Sequence, residues 1–383
     1  MKILFFQWHS FMNQGIEGAL KRLTIDYDIF FYQFADWETD DRFLELFQKQ
    51  LRSANYRLVL SVNFSPLISK VCEEAKISYI AWVYDSPLHI RDLSAFSNSY
   101  TKVYLFDRGQ AEEFKKKGFH AEHLPLAVDP QVFRQATFEQ DTAEYNCDIA
   151  FLGKMYQTEY QYFKAPLNEY LQGYLEGIIG AQMKIYGGYL IPELVTQQLL
   201  DKMNVDYAKY ASDGFQMGQQ ELEYMLACEV TGRERYIALA LLSEHYKTDL
   251  YSEEKDERLT YVRYCGYADY YKQMPRVFSQ SRINLNISLK AIRTGIPLRV
   301  LDIMGCGGFV LTNYQEELAE YFVPGEECVI YESLEDMFEK VRFYITHDEE
   351  RKRVANNGYE KVKRDFTFDS RIKTMFEDYA VKG

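Results

Sequence analysis

The sequence predicts an α/β chain of two doubly wound, parallel-sheet domains, the second carrying a helical insertion. Three observations carry this. Short apolar runs alternate with amphipathic segments through the first 126 residues, a polar stretch then interrupts the pattern, and the same alternation resumes beyond it. Strands that are apolar on both faces and separated by helices belong to parallel sheets covered on both sides, and such sheets build Rossmann-like domains.

The elements follow in order. Lys2–Phe6 is a short apolar run, and Gln14–Leu23 has helical spacing at Ile16, Ala19, Leu20 and Leu23. Asp28–Phe34 reads as a strand, and Asp41–Leu51 as an amphipathic helix through Phe43, Leu44, Phe47 and Leu51. Strands at Arg57–Val62, Ser78–Tyr84, Lys102–Phe106 and Glu122–Leu126 alternate with helices at Pro66–Ala75 and Gly109–Lys117. The polar stretch Asp129–Asn146 reads as an interdomain linker, which sets an N-terminal domain at 1–135 and a C-terminal one at 146–365. Asp148–Leu152 opens the second domain, about 156–244 is helical, and strand-like runs return at Thr248–Tyr251, Tyr261–Cys265, Ile283–Ile287, Phe309–Thr312 and Val329–Tyr331. The last segment, Phe366–Tyr379, carries Phe368, Ile372, Met375, Phe376 and Tyr379 on one helical side, with Thr367 or Asp369 available as cap. A terminal segment so rich in aromatics should dock, and the helix 366–383 is expected to pack back on the N-terminal domain.

With 44 Lys and Arg against 57 Asp and Glu, the net charge of −13 disfavours nucleic acid or anionic lipid as the main partner. No apolar run approaches the ~18 residues of a membrane helix, and the N-terminus is too short in apolar residues for a signal peptide. Six scattered cysteines without a CxxC pair read as reduced core thiols, which points to the cytoplasm. The histidines form no metal-binding pattern, so no metal site is expected. The 32 Tyr and 26 Phe are spread along the chain and fit core usage better than a binding stripe.

Ligands of doubly wound folds bind beyond the carboxyl ends of the strands, so the loops there hold the candidates. The densest segment is NLNISLKAIRTGIPLRVLDIMGCGGFVLTN, residues 284–313: a strand, a basic loop, a helix opened by Pro297 and a Gly-rich turn. A helix start preceded by Thr294 and Gly295 and bearing Arg299 can receive a phosphate, and Asp302, one turn further, can accept both hydroxyls of a ribose. The same residues also fit a plain βαβ unit with an i, i+3 surface pair. Asp85 ends the buried run WVYD, where a carboxylate can act as general base or cap a helix. His9 follows the first strand and reads equally as catalytic or as a hydrogen-bonded structural residue. Arg233 and Arg235, at the expected start of a helix Thr231–Ser243, conflict mildly with the helix dipole, which points to a bound anion or a nearby carboxylate such as Glu234; they stay outside the site.

The string INLNIS…RTGIPLRVLDIMGCGGFVLTNYQEEL with PGEECVIYES resembles the CgeB-like, or spore-maturation-protein, family of GT-B glycosyltransferases. The N-terminal strings SVNFSPLISKVCEEAKISYIAWVYDSP, KVYLFDRGQAEEF and HLPLAVDP resemble the same family, and only the helical insertion falls outside the likeness. The resemblance implies a GT-B fold, two Rossmann-like domains facing a cleft, and transfer of a sugar from a nucleotide-diphosphate sugar, UDP being the expected nucleotide, to a cell-surface, spore or protein acceptor. It implies that Asp302 binds the ribose, that Arg299, Thr294, Gly295 and Lys154 hold the diphosphate, that Gly266 and Tyr267 contact the base, and that Asp85 serves the acceptor. Charge on the leaving diphosphate would then be met without a metal. Two departures stand: Thr294 occupies the first position of the acidic–x7–Glu pattern of retaining members, and Asp302 is shorter than the Glu of the second. Two other readings remain, a nucleotide-sugar epimerase or hydrolase on this fold and a non-catalytic spore or envelope assembly protein, since a fold does not by itself fix function.

Overall fold

In the computed structural model, which describes residues 2–88, 90–133, 143–210 and 214–382, the chain forms two six-stranded, all-parallel sheets. It divides into two units, one of residues 1–131, 294–301 and 360–383, the other of residues 132–293 and 302–359. Residues 134–142 of the expected linker lie outside the described residues.

The first unit strings β1 (Lys2–Gln7), α1 (Asn13–Arg22), β2 (Asp26–Phe31), α2 (Asp41–Arg52), β3 (Tyr56–Val62), α3 (Pro66–Ala75), β4 (Ser78–Val83), β5 (Thr101–Leu105), α4 (Arg108–Lys116) and β6 (Ala121–His123) into a sheet of order β2-β1-β3-β4-β5-β6. β2 starts and ends earlier than its apolar run suggests, because each of its residues pairs with one of Lys2–Gln7. As an edge strand it alternates exposed and half-buried positions, whereas β3 and β4 are buried almost throughout. Helix starts follow local chemistry: Asp40 accepts from the Phe43 amide, Ser65 from that of Ile68 ahead of Pro66, and Asp107 from that of Gln110. Much of the aromatic content goes into this core, where Phe43 lies 4.6 Å from Phe34 and 5.0 Å from Phe47.

The last helix of the chain, α15 (Phe368–Lys382), belongs to this unit. Val128 forms a parallel bridge with Thr367, whose hydroxyl accepts from the Ser370 amide as the helix cap. Phe368 packs edge-on against Trp82 at 5.9 Å. Asp369 holds Arg22 of α1 (2.6 Å), Arg371 donates to the Pro125 carbonyl (2.9 Å), and Asp378 accepts from Lys102 (2.9 Å) and the Tyr104 hydroxyl (2.8 Å) of β5.

The second unit builds its sheet from β7 (Ile149–Leu152), β8 (Thr248–Tyr251), β9 (Arg263–Gly266), β10 (Ile283–Asn286), β11 (Val310–Asn313) and β12 (Val329–Tyr331), in the order β12-β11-β10-β7-β8-β9. This is the Rossmann order, with the order of strand addition reversing between β7 and β10. Between β7 and β8 lies the helical insertion: α5 (Tyr160–Lys164), α6 (Glu169–Gln182), α7 (Ile191–Leu194), α8 (Gln197–Tyr207) and α9 (Gln219–Ser243). It has its own core of Leu171, Leu175, Ile178, Leu199, Met203, Leu222, Leu226 and Val230. α10 (Met274–Gln280), α11 (Leu298–Gly305), α12 (Glu316–Tyr321), α13 (Leu334–Thr346) and α14 (Asp348–Asp365) complete the chain; the division between the units falls within α11 and α14.

One expectation about the insertion is corrected. The helix bearing Arg233 and Arg235 starts at Gln219, not Thr231, so both arginines lie in its middle and no clash with a helix N-terminus arises. Thr231 bonds back to the Ala227 carbonyl (2.7 Å) instead of capping a new helix.

Candidate functional site

In the second unit, β7 and β10 are neighbours at the reversal point, where a doubly wound sheet opens a crevice at its carboxyl edge. Gly153 and Lys154 leave β7 there, and Ile287–Lys290 leave β10. α9 clamps both exits. A Cβ on Gly232 would fall 2.8 Å from the Tyr156 carbonyl and 2.9 Å from that of Met155, so this close approach requires glycine. The Thr231 hydroxyl accepts from the Lys290 amide at 3.0 Å. Arg235, buried between the rings of Phe151 and Tyr156, donates to the carbonyls of Lys154 and Ile287, one from each exit. The Lys154 side chain itself is exposed.

Beside this lies a buried ion pair, Lys290 Nζ to Glu234 Oε1 at 2.8 Å, with side chains 7% and 2% exposed. Burial pushes the Glu234 carboxyl above the usual carboxylate range, against the pull of Lys290. Beyond β10, Asn286 donates to Ser288 (3.1 Å) and Thr312 (2.9 Å), and the Asn313 side chain accepts from the Ser288 amide (2.8 Å). These buried polar bonds fix the path of the loop.

Asp302 is 1% exposed, and its Oδ1 accepts from the Tyr270 hydroxyl at 2.8 Å. Tyr270 packs between Phe133 and Tyr271. Gly266 ends β9 with φ +74°, a left-handed turn, and the following Tyr267 is 58% exposed, not a core tyrosine.

The first unit holds the other expected residues. Thr294 donates its amide to Asp107 Oδ1 (3.2 Å), and its hydroxyl bonds that same oxygen (3.1 Å) while accepting from the Gly109 amide (2.9 Å). The Thr294 amide, expected to face a phosphate, thus meets a carboxylate that also caps α4. Gly295 is buried beside Phe106 and Asp107, and Arg299 lies half-buried in the first turn of α11.

Asp85 is exposed just past β4, where Asn63 Nδ2 donates to its Oδ2 at 2.6 Å. Asn63 also accepts from the Tyr84 amide (3.1 Å), so one side chain ties the ends of β3 and β4. Among the described residues Asp85 caps no helix, and the next helical turn is the short 3-10 turn Ser94–Ser97. His9 is exposed beyond β1, its ring edge-on to Phe31 at 5.2 Å. A cavity of about 610 Å³ opens in this unit at the amino ends of β4, β5 and β6, lined by Lys102, His120, Asp378 and Tyr379. It sits at the edge of the sheet away from Asp85 and His9, where strand direction places no loop expected to bind ligand.

Sequence reasoning set Arg235 and Glu234 outside the site and passed over Lys290, Asp107 and Tyr270. One signal was present: a glycine within a long run of helix formers costs about 1 kcal/mol and marks a close contact. Gly232 was that mark.

Residues 227–377 match the glycosyl transferase-like family model. The chain is 23% identical over 192 residues to spore protein CgeB of Bacillus subtilis, an alignment covering 47% of this chain and 58% of that protein. Among solved structures it is similar to a glycosyltransferase from Rickettsia africae (TM-score 0.60, 9% identity, 99% and 97% of the two chains). It is also similar to Anabaena HepE solved in complex with UDP-glucose (TM-score 0.57, 11% identity, 100% of both chains). At such identities the likeness to solved structures establishes the fold, which is GT-B. The chain spans 27% and 58% of the lengths of the curated relatives it matches. The fold is thus of the GT-B class, and its residues 227–377 are similar to the glycosyl transferase-like family. Among the described residues no helix is long and apolar enough to cross a membrane, and all six cysteines are free thiols.

Proposed function

We propose that this chain is a CgeB-like glycosyltransferase of the hexosyl-transferring type, which takes its sugar from a nucleoside-diphosphate sugar. The observation that carries the proposal is a coincidence of place. The segment matched by the glycosyl transferase-like family includes α9 from residue 227 onward and β10, and these elements bring Arg235, Lys290 and the Lys154 loop to the reversal point of the second sheet.

On this reading the donor's diphosphate meets the cationic groups Lys154 and Arg299 and the Gly295 amide; Thr294 supports that segment through Asp107. Asp302, held by Tyr270, receives the ribose hydroxyls, and Tyr267 beside Gly266 stacks on the base. Asp85, oriented by Asn63, takes the proton of the acceptor hydroxyl, with His9 on the acceptor side. The charge of the departing diphosphate is met by these cations, so neither a metal nor another cofactor is required. UDP is the proposed nucleotide, in line with the UDP-glucose bound by HepE. A spore, cell-surface or protein acceptor is proposed from the likeness to CgeB, and the six free thiols suit a cytoplasmic setting.

A thermal-shift screen against UDP, GDP, dTDP, CMP and their sugars tests the proposal. A ligand at 100 times its Kd adds about 2.7 kcal/mol to stability, which moves the transition visibly. If none of these compounds shifts it, the donor assignment fails. Release of free sugar from a bound donor without any acceptor would instead mark a hydrolase.

A further inference from the structure

Glu234 and Lys290 stand out among the buried charges of the second unit. Among the described residues, neither Glu234 carboxylate oxygen receives an aligned hydrogen bond, although the carboxylate is buried and Lys290 Nζ lies 2.8 Å away. The groups that face Glu234 are Lys290 from the loop after β10, Tyr186 from the segment after α6, Tyr331 at the end of β12, and Arg235 on its own helix. Glu335 acts on Tyr186 in turn. Arg235 is turned to the Lys154 and Ile287 carbonyls, so Lys290 is the cation placed to answer the carboxylate. The Lys290 ammonium also lies 4.2 Å above the Tyr186 ring, and its amide is fixed on Thr231.

A buried carboxylate that meets a single ammonium, without well-aligned hydrogen bonds, depends on that ammonium to stay charged. A second anion brought to the same ammonium adds like-charge repulsion, and of two such anions the carboxylate is the one that can be neutralised near neutral pH. We propose, resting on the reading that this unit binds a nucleoside-diphosphate sugar, that Lys290 meets the diphosphate and that Glu234 releases it by taking one proton from solvent as the ligand binds. The step balances as ligand plus one proton combining with the ionised pair, to give the complex with Glu234 neutral and Lys290 still charged. Glu234 is a positioning residue here, acting on the ligand through Lys290.

The test is calorimetric titration of the whole chain with UDP-, GDP-, dTDP- and ADP-glucose, whose esterified diphosphates carry no proton near neutral pH. Each titration is run in one buffer of low and one of high ionisation enthalpy. The expected result is a binding enthalpy that changes with the buffer by up to one proton taken up, and an affinity that falls by up to about tenfold per pH unit above the carboxyl's titration. Glu234→Gln removes both dependences and binds at least as tightly as the wild type at pH 8. Lys290→Gln also removes the dependence and lowers affinity at least tenfold. A wild-type enthalpy independent of buffer, which needs no variant to observe, overturns the proposal. So does an unchanged slope in a folded Glu234→Gln protein. Failure of all four sugars to bind the wild type overturns the donor reading itself and is recognisable as such.

Discussion

Replacing Phe368 with alanine tests the seat of the last helix. Phe368 is 6% exposed and lies edge-on to the fully buried Trp82, and a Cβ on Gly15 of α1 would fall 2.2 Å from its ring, so the ring rests directly on the α1 backbone. Truncating a buried phenylalanine removes its transfer free energy and leaves a cavity, together about 3–5 kcal/mol. For a unit of this size, at about 2–4 °C per kcal/mol, the midpoint should fall by roughly 6–20 °C. The chain supplies its own reporter, because Trp8, Trp37 and Trp82 all lie in the first unit. Emission excited selectively in tryptophan therefore follows that unit alone, while far-ultraviolet circular dichroism follows both. The expected outcome is a fluorescence transition displaced by the full amount. Lys373→Ala, at an exposed position of the same helix, should stay within about 0.5 kcal/mol of the wild type. A folded Phe368→Ala protein whose fluorescence midpoint matches the wild type would show that α15 does not depend on this contact, and the reasoning from burial would fail.

Arg235→Met strips two buried carbonyls of their donor, at a cost of about 1–3 kcal/mol each. It should lower the dichroism midpoint while leaving the fluorescence transition in place, and equal shifts of both would refute it. Asp302→Ala should weaken donor binding more than tenfold, since hydrogen bonds to a charged group are worth about 1.5–3 kcal/mol each. Tyr270→Phe, which keeps the carboxylate, provides the control for lost packing, and normal donor affinity in folded Asp302→Ala removes the ribose assignment. Transfer activity should survive excess chelator, and full loss restored by Mn²⁺ would contradict the proposal that side-chain cations suffice. In the insertion, Arg233 and then Lys164 hold the Glu176 carboxyl down at about 2. A carboxyl depressed in the folded state stabilises above its ordinary value and loses that contribution as pH falls through the folded one. Wild-type stability should thus decline between about pH 4.5 and 2, and Glu176→Gln, weaker at pH 7, should show a flatter decline when followed by dichroism.

How much of this was legible depended on how far each residue's partner lies along the chain. α3 runs over Pro66–Ala75 as read, because its start signal, Ser65 followed by Pro66, is local. The strands of both sheets were found from their apolar runs; β8 and β12 run as read, and the ends of the others shifted by up to three residues. Register on a neighbour decides those ends: β2 stops at Phe31 because β1 stops at Gln7. The start of α9 was missed by a dozen residues for the opposite reason. Thr231–Gly232 looks locally like a cap and a breaker, and what keeps the helix running through it is contact with the backbone of residues 155–156.

The candidate site shows the same dependence in its chemistry. Asp302 and Thr294 stand out in the sequence as residue types suited to a ribose and a phosphate, yet each has a protein partner far away: Tyr270 lies 32 residues from Asp302, and Asp107 lies 187 residues from Thr294. No local pattern encodes such pairs. Arg235 is the extreme case. Its neighbours in sequence suggested only a mild dipole conflict, whereas in the fold its guanidinium joins the exits of β7 and β10, two strands adjacent in the sheet but more than a hundred residues apart in the chain. A buried arginine bonded to main-chain carbonyls is costly to place unless all its donors are met, and here burial and hydrogen bonding are satisfied together at the reversal point of a Rossmann sheet. That conjunction, invisible in any window of the sequence, fixes the exits of β7 and β10, the loops to which the donor proposal assigns Lys154 and Lys290.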